Sequence, residues 1–280
     1  MINFYPMIKQ IYDQSEVMEL IDSLSLLVEK KHPMLSTIEQ RNLNFTRAFT
    51  SDKHKVMAIY DNDNTLIGVY DLLIESDKHY IEMVWQFSLS EVPIRELFEL
   101  IFTDYKGYKF DLVFNPLDSD LISVLREYGA AFDPVQVRMK ASEIPDYHHD
   151  KRIVSYSDEY RKQYLALHSR YMYWSGTRVI ANPQRFTTIL ALKNGTLVGY
   201  TDFTNCFAEN EPYDIRVRKG YRGKGYGKAL LFEAMKLNYP KVMSLLVDYE
   251  NLNAYRMYES LGFRVVEGSE CQIAQIREIK

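Results

Sequence analysis

Residues 217–227 read Val-Arg-Lys-Gly-Tyr-Arg-Gly-Lys-Gly-Tyr-Gly, so that three glycines, Gly223, Gly225 and Gly227, remove side chains at alternate positions. From Tyr226 to Asn238 the run that follows predicts a helix, with Leu230, Leu231, Ala234 and Leu237 recurring three to four residues apart. Glycines let the backbone turn sharply and come close to a bound group, and a helix N-terminus presents unsatisfied N–H groups with partial positive charge. Together these make a cradle for an anion such as a pyrophosphate. Arg216, Arg218, Lys219, Arg222 and Lys224 add positive charge around it. Two other glycine signatures do not fit. A dinucleotide fingerprint needs glycine where Lys228 stands, and a P-loop needs Ser or Thr where Ala229 stands.

Arg222 to Gly227 does fit the pattern Arg/Gln-x-x-Gly-x-Gly/Ala, and a second block downstream places Asn251, Ala254, Tyr258, Gly262 and Phe263 in the order Asn-x-x-Ala-x-x-x-Tyr-x-x-x-Gly-Phe. The two ordered blocks resemble the GNAT superfamily, the Gcn5-related N-acetyltransferases. The resemblance implies acetyl-CoA as co-substrate, with no metal. It implies that the amide of Val217 or of its neighbour Arg218 contacts the thioester or pantetheine. The amides of Arg222, Gly223, Lys224, Gly225, Tyr226, Gly227 and Lys228 are expected at the pyrophosphate, and Tyr258 as the general acid. A phenol with an ordinary pKa of about 10 is protonated at neutral pH and can donate to a departing thiolate. Asn251 is expected either at the coenzyme or as a helix cap. Related enzymes often place a carboxylate just before or within the fourth strand, to take the amine proton. Glu211 and Asp214 lie there, with Glu211 preferred; an odd spacing puts them on opposite strand faces unless a bulge intervenes.

The elements that must position these residues repeat. In the second half a helix is expected from Asp158 to about Tyr173 and a short segment near Pro183. Strands follow at 189–192 and 197–204 around Asn194-Gly195, a hairpin signal. A strand at 213–217, the glycine turn and helix, a strand at 242–247, a helix at 254–261 and a closing strand pair after Phe263 complete it. The first half runs in the same order: strands at 56–60, 66–74 and 80–87, a helix at 94–102, a strand at 110–114, a helix at 121–128 and a strand at 135–139. The expected fold is therefore α+β, or α/β in the broad sense: two GNAT-like domains, each a mixed, mostly antiparallel central sheet flanked by helices. The boundaries fall at 1–145 and 151–280, with a polar seam at 142–151. Aligning the halves puts Gly129 with Gly262, Leu125 where Tyr258 stands and Asp118 where Asn251 stands. The segment 88–93 has no glycine and carries Glu91, so the first half has lost the anion site and serves to shape, support or cover the second.

A chain of 280 residues, 46% hydrophobic, has room for two packed cores, and a net charge of −4 speaks against a dedicated nucleic-acid binder. Cys206 and Cys271 make no disulfide framework, and the adjacent His148 and His149 read as exposed linker rather than metal ligands. The N-terminus lacks a signal-peptide pattern and no apolar run reaches 18 residues, so a cytoplasmic protein without membrane partners is expected. Tyr171, Tyr173 and Trp174 could line an acceptor cleft and meet a cation with their ring faces, or simply pack. The expected function is acetyl transfer to a primary amine on a small molecule or peptide by direct attack on the thioester. The alternative is an acyl-CoA sensor without turnover. The sequence is compatible with a homodimer and does not name the acceptor.

Overall fold

The computed structural model describes residues 6–146, 148–169 and 172–280. The chain divides into two compact units, residues 1–136 with 267–280, and residues 137–266. In the first unit the strands are β1 (Met7–Ile11), β2 (His54–Tyr60), β3 (Leu66–Glu75), β4 (Tyr80–Ser88), β5 (Lys109–Phe114) and β6 (Ala131–Phe132). The helices are α1 (Met18–Leu24), α2 (Ile38–Thr50), α3 (Glu91–Asp104) and α4 (Ser119–Glu127). β1 to β4 form an antiparallel meander and β5 joins β4 in parallel. Helices cover both faces, which is why β3 and β4 are apolar on both sides. Ile21, Phe45 and Trp85 pack on one face, and Ile94, Leu97, Phe98 and Ile101 of α3 pack on the other at helical spacing.

β4 and β5 are paired only from Tyr80–Lys109 to Met83–Leu112, and beyond that they diverge. The chain's own segment 28–35 closes the gap. Asn115 at the end of β5 donates to the carbonyls of Val28 (2.8 Å) and Lys31 (3.1 Å). Lys30 places its ammonium 2.7 Å from Asp118 and 3.0 Å from Asp120, with the Lys30 and Asp118 side chains both more than nine-tenths buried. Asp118 also caps α4 at the Leu121 amide. His32 is buried beside Phe87 and accepts from the Met34 amide.

The second unit comprises β7 (Gln136–Ala141, from Val137 onward), β8 (Ile153–Ser155), α5 (Arg161–Leu167), α6 (Gly176–Ile180), β9 (Phe186–Lys193) and β10 (Thr196–Thr204). It continues with β11 (Glu209–Asn210), β12 (Pro212–Val217), α7 (Tyr226–Asn238), β13 (Val242–Asp248), α8 (Leu252–Glu259) and β14 (Arg264–Val265). Two four-stranded sheets result, in the orders β12-β10-β9-β8 and β11-β13-β7-β14. Asn194 and Gly195 turn the β9–β10 hairpin with positive φ, as their sequence requires. α7 covers one face with Leu230, Leu231 and Ala234 buried; Leu237, expected on the same stripe, is half exposed. α5 covers the other face, where Tyr164, Leu190, Leu197 and Tyr200 pack together.

The mixed α/β architecture and the repeated element order are present. The expected boundary between the halves differs from the observed units, because two strands change places. The strand expected to close the first half, at 135–139, is β7 and lies between β13 and β14 of the second unit. The strands after Phe263 do not pair with each other: β14 pairs β7, while β15 (Gln272–Ile276) inserts between β5 and β6 of the first unit. Alternating apolar residues identify a strand without naming the sheet that takes it. The helix expected to reach Tyr173 ends at Leu167, because His168 is extended and turns its side chain to the Gly176 amide. Tyr171 lies outside the described residues. No helix among the described residues is long and apolar enough to cross a membrane, and none of their His, Cys, Asp and Glu side chains group to hold a metal ion.

Two measurements test the closure of the first unit. Lys30→Met strands a buried carboxylate and should lower the urea stability of that unit by about 3 kcal/mol; Lys53→Met, at the exposed Lys53–Glu75 pair, should cost less than about 1 kcal/mol. Burial pushes the His32 imidazole down to about 4. Below the ordinary value of about 6.5 the unfolded chain takes up the proton first. The stability this group protects is therefore complete above pH ~6.5 and lost as the pH falls towards ~4. His32→Gln should remove that slope from the pH dependence of unfolding, by at most about 1.4 kcal/mol per pH unit.

Candidate functional site

In the second unit, β11 and β13 run parallel for one short step, Glu209 with Val242 and Asn210 with Met243, before β12 leaves for the other sheet. The cause is local. The Glu211 N–H goes to the Thr204 hydroxyl (2.9 Å), and Pro212 has no N–H to continue the ladder. Asn210, fully buried, donates to Asn238 at the end of α7 (2.8 Å) and exchanges bonds with Phe207. Asn238 in turn donates to the carbonyls of Lys241 and Val242 at the start of β13. The carboxamide pair thus fixes the vertex from which β12 and β13 splay.

Antiparallel pairing alternates, so every second residue of β12 turns its backbone away from β10. The Arg218 N–H bonds the Val198 carbonyl (2.8 Å), which puts the Val217 N–H on the free edge facing the split. Of the two amides expected there, only that of Val217 points into it; the Arg218 guanidinium is also committed, to the Leu197 carbonyl. A 3₁₀ turn at Lys219–Tyr221 leads to Gly223 (φ +71°) and Gly225 (φ +83°), a conformation that side-chain-bearing residues rarely adopt. Gly225 is the N-cap of α7. Among the described residues, the amides of Gly223, Lys224, Gly225, Tyr226 and Gly227 make no backbone hydrogen bond. Arg222 braces the turn through the Val217 carbonyl and Lys224 through that of Gly220. The Tyr226 side chain is buried, with the Arg152 guanidinium 4.2 Å from its ring, so only its backbone is offered to a ligand. Lys228 lies in the first turn of α7. A Cβ on Gly227 would sit 3.7 Å from Met257 Sδ and 4.0 Å from Val217 Cγ2, which brings β12, α7 and α8 together at one place.

Tyr258, the residue after Met257, is half-buried against Phe263. Its hydroxyl has no hydrogen-bond partner among the described residues, and burial together with Asp248 holds its pKa above the ordinary tyrosine value. Asn251 caps α8 through the Ala254 amide (3.2 Å), the structural alternative read in the sequence. Glu211 is exposed at the vertex, with no side-chain hydrogen bond or ion pair among the described residues. The pairing of Asp202 with Asp214 and of Phe203 with Pro212 leaves Tyr213 as a bulge, so Glu211 and Asp214 come to the same face. Asp214 is committed: it accepts from the Tyr200 hydroxyl and lies 3.9 Å from Arg216. Tyr173 and Trp174 already have cations. Trp174 faces Arg185 at 5.0 Å and Tyr173 faces Arg178 at 5.3 Å.

A polar cluster that the sequence reading did not single out lies on this face. Asp202, fully buried in β10, accepts from the Thr188 hydroxyl (2.6 Å) and the Tyr164 hydroxyl (2.8 Å). Burial pushes its pKa up, against these partners. The His168 ring stacks on Tyr200, with Nε2 3.3 Å from Asp202 Oδ2 and 3.9 Å from Asp214 Oδ2, near enough for charge attraction but not aligned as a hydrogen bond. The one available signal was an aspartate inside the apolar run of β10. Beside His168 opens a cleft of about 310 Å³, lined also by Leu165, Ser169, Ser175, Gly176 and Thr177.

Comparison with known proteins places this geometry. The model of the acetyltransferase (GNAT) family matches residues 153–263. No curated protein matches the chain in sequence. Among solved structures it is similar to a GCN5-related N-acetyltransferase from Sphaerobacter thermophilus, with 13% identity over 99% of this chain and 96% of that one and a TM-score of 0.67. It is also similar to a tandem GNAT protein from the clavulanic acid biosynthesis pathway, with 13% identity, 99% of both chains covered and a TM-score of 0.57. A putative acetyltransferase from Pyrococcus horikoshii gives 11% identity, 99% and 92% coverage and a TM-score of 0.53. Residues 153–263 thus match the GNAT acetyltransferase family model, on a chain that follows the fold of GNAT proteins, a tandem one among them, over nearly all of its length.

Proposed function

We propose that the second unit binds acetyl-CoA in the split between β12 and β13 and transfers the acetyl group to a primary amine of a small molecule or peptide. The observation that carries this reading is the splay itself, which leaves the Val217 N–H on a free strand edge beside the partnerless amides of residues 223–227. Those amides and the N-terminus of α7 suit a pyrophosphate. When bound, acetyl-CoA supplies an activated thioester. The Val217 N–H polarises its carbonyl and holds the oxyanion that forms as the amine attacks. Glu211, uncommitted at the vertex, takes the proton that the amine must lose, and Asp214 is set aside as base because Tyr200 already occupies it. As the C–S bond breaks, Tyr258 gives its proton to the sulfur. The free hydroxyl of Tyr258 favours this over a sensor that binds coenzyme without turnover.

The test is release of free thiol from acetyl-CoA with a panel of primary amines, with coenzyme affinity followed by calorimetry. Tyr258→Phe should lower kcat about 10²-fold and leave coenzyme affinity within about twofold. Coenzyme binding without thiol release from any amine, peptides included, would support the sensor instead. Because Tyr258 is held above its ordinary value, the acid should stay active to pH ~10 or higher. Gly225→Ala forces a left-handed residue at the cradle and should weaken coenzyme binding about tenfold, whereas Gly227→Ala, with ordinary contact distances, should stay within about twofold.

A further inference from the structure

Arg185, the residue before β9, carries a positive charge that the chain leaves uncompensated. Its guanidinium carbon lies 5.0 Å from the centre of the Trp174 ring, 5.1 Å from that of Phe207 and 5.6 Å from that of Phe186. Rings within about 6 Å attract a cation and fix its place, but they do not meet its N–H groups as a carboxylate does. Among the described residues, which include every Asp and Glu of the chain, the Arg185 side chain makes no hydrogen bond and no ion pair. Nε is enclosed without a partner, while the residue as a whole is half-buried and Phe207 beside it is exposed. A guanidinium keeps its proton in a protein, so the charge cannot be discharged. An anion that compensates it comes to the terminal Nη groups from outside the chain, and their planar fork matches a carboxylate.

The position of this charge is set by the aromatic wall. The Trp174 N–H donates to the Tyr213 hydroxyl (3.1 Å), and the Phe186 ring centre lies 5.1 Å from that of Trp174 and 5.6 Å from that of Tyr213. Phe186 pairs with Thr204, whose N–H goes to the Glu211 carbonyl. Two strand spacings therefore separate Phe186 from Glu211, about 10 Å. The wall runs from the Arg185 guanidinium to the strand that carries Glu211 and Asp214.

We propose that the acceptor is an amino acid, with amine and carboxylate on one small molecule, and that Arg185 binds the carboxylate while the amine lies toward Glu211. This rests on the acetyl-transfer reading for the word acceptor; the carboxylate site rests on Arg185 and its rings alone. The same rings would have suited the cationic end of a polyamine, but the chain's own guanidinium holds them. A second cation there meets repulsion and an anion meets attraction. A polyamine or an aminoglycoside, positive at every end, is rejected by this charge, and a dipolar molecule is matched by it.

The experiment pairs glycine, β-alanine and 4-aminobutyrate with their amides, which keep the amine and lose the carboxylate. Two readouts are taken on the intact protein: thiol release from acetyl-CoA, and the fluorescence of Trp174. Trp85, the only other tryptophan, is fully buried in the first unit and gives a constant background. The expected result is that acids shift the Trp174 signal and amides do not, and that at least one acid is turned over with kcat/KM about 30-fold above its amide, the worth of hydrogen bonds to a charged group. Arg185→Met should abolish the fluorescence difference and reduce the preference to about twofold or less. Arg185→Lys, which keeps the charge and loses the fork, should retain part of both. Urea unfolding shows whether a variant is folded, and Arg185→Gln takes the place of Arg185→Met if that one is not. An acid and its amide that shift Trp174 alike or are turned over alike, or a difference that survives the loss of the Arg185 charge, overturns the proposal. An Arg185-dependent fluorescence difference with no thiol release from any acid or amide removes the acetyl-transfer reading and leaves the carboxylate site standing.

Discussion

The buried contact between Asn210 and Asn238 is the constraint on which the second unit turns. A carboxamide in the interior must find partners for two donors and an acceptor or lose about 1–3 kcal/mol per orphaned group. Asn210 and Asn238 satisfy one another and the backbone around them, and in doing so bind the end of α7, the start of β13 and the last paired residue of β11 to one point. Everything downstream inherits that vertex. The Glu211 N–H and the absent N–H of Pro212 send β12 away from β13. The free edge then falls at Val217, and the glycine turn begins where the edge ends. A polar pair is suited to such a task because its geometry is directional, whereas apolar packing would tolerate a shift of register.

The first unit shows the same departure of strands with the opposite outcome. There the gap between β4 and β5 is filled by residues 28–35, with an ammonium and a carboxylate buried together at Lys30 and Asp118. Asp118 and Asn251 both cap the helix that follows, and Gly129 and Gly262 both have positive φ, so the repeat is kept at the positions that backbone geometry demands. It is abandoned at the glycine turn and at the position of Tyr258. No glycine-rich turn precedes α3, and Leu125 is buried in the core where the second unit has a tyrosine.

How much of this the sequence disclosed follows from the range of each interaction. The glycine turn at the start of α7 and the Asn251 cap of α8 were legible because their requirements are local and announce themselves within a few residues. The strand exchange was not, since alternation marks β7 and β15 as strands and says nothing of which sheet has room for them. His168, Asp202 and Asp214 were not assembled as a site for the same reason. They meet through the register of β10 with β12 and through the early end of α5. The bulge at Tyr213, named in advance only as a condition, decides that Glu211 and Asp214 share a face. Tyr173 and Trp174 were legible as cation partners, but the cations are Arg178 and Arg185 of the same unit.

The placement of β15 reaches back to synthesis. β5 and β6 emerge from the ribosome early, yet the strand that lies between them, residues 272–276, is made roughly 140 residues after β6, on the order of ten seconds later at ordinary elongation rates. Until those residues are made, the edge of β5 that β15 covers has no strand of this sheet to pair with, the kind of edge that captures foreign chains. The order of translation therefore makes the completion of this sheet a late, long-range step, and that edge of β5 the one left open longest.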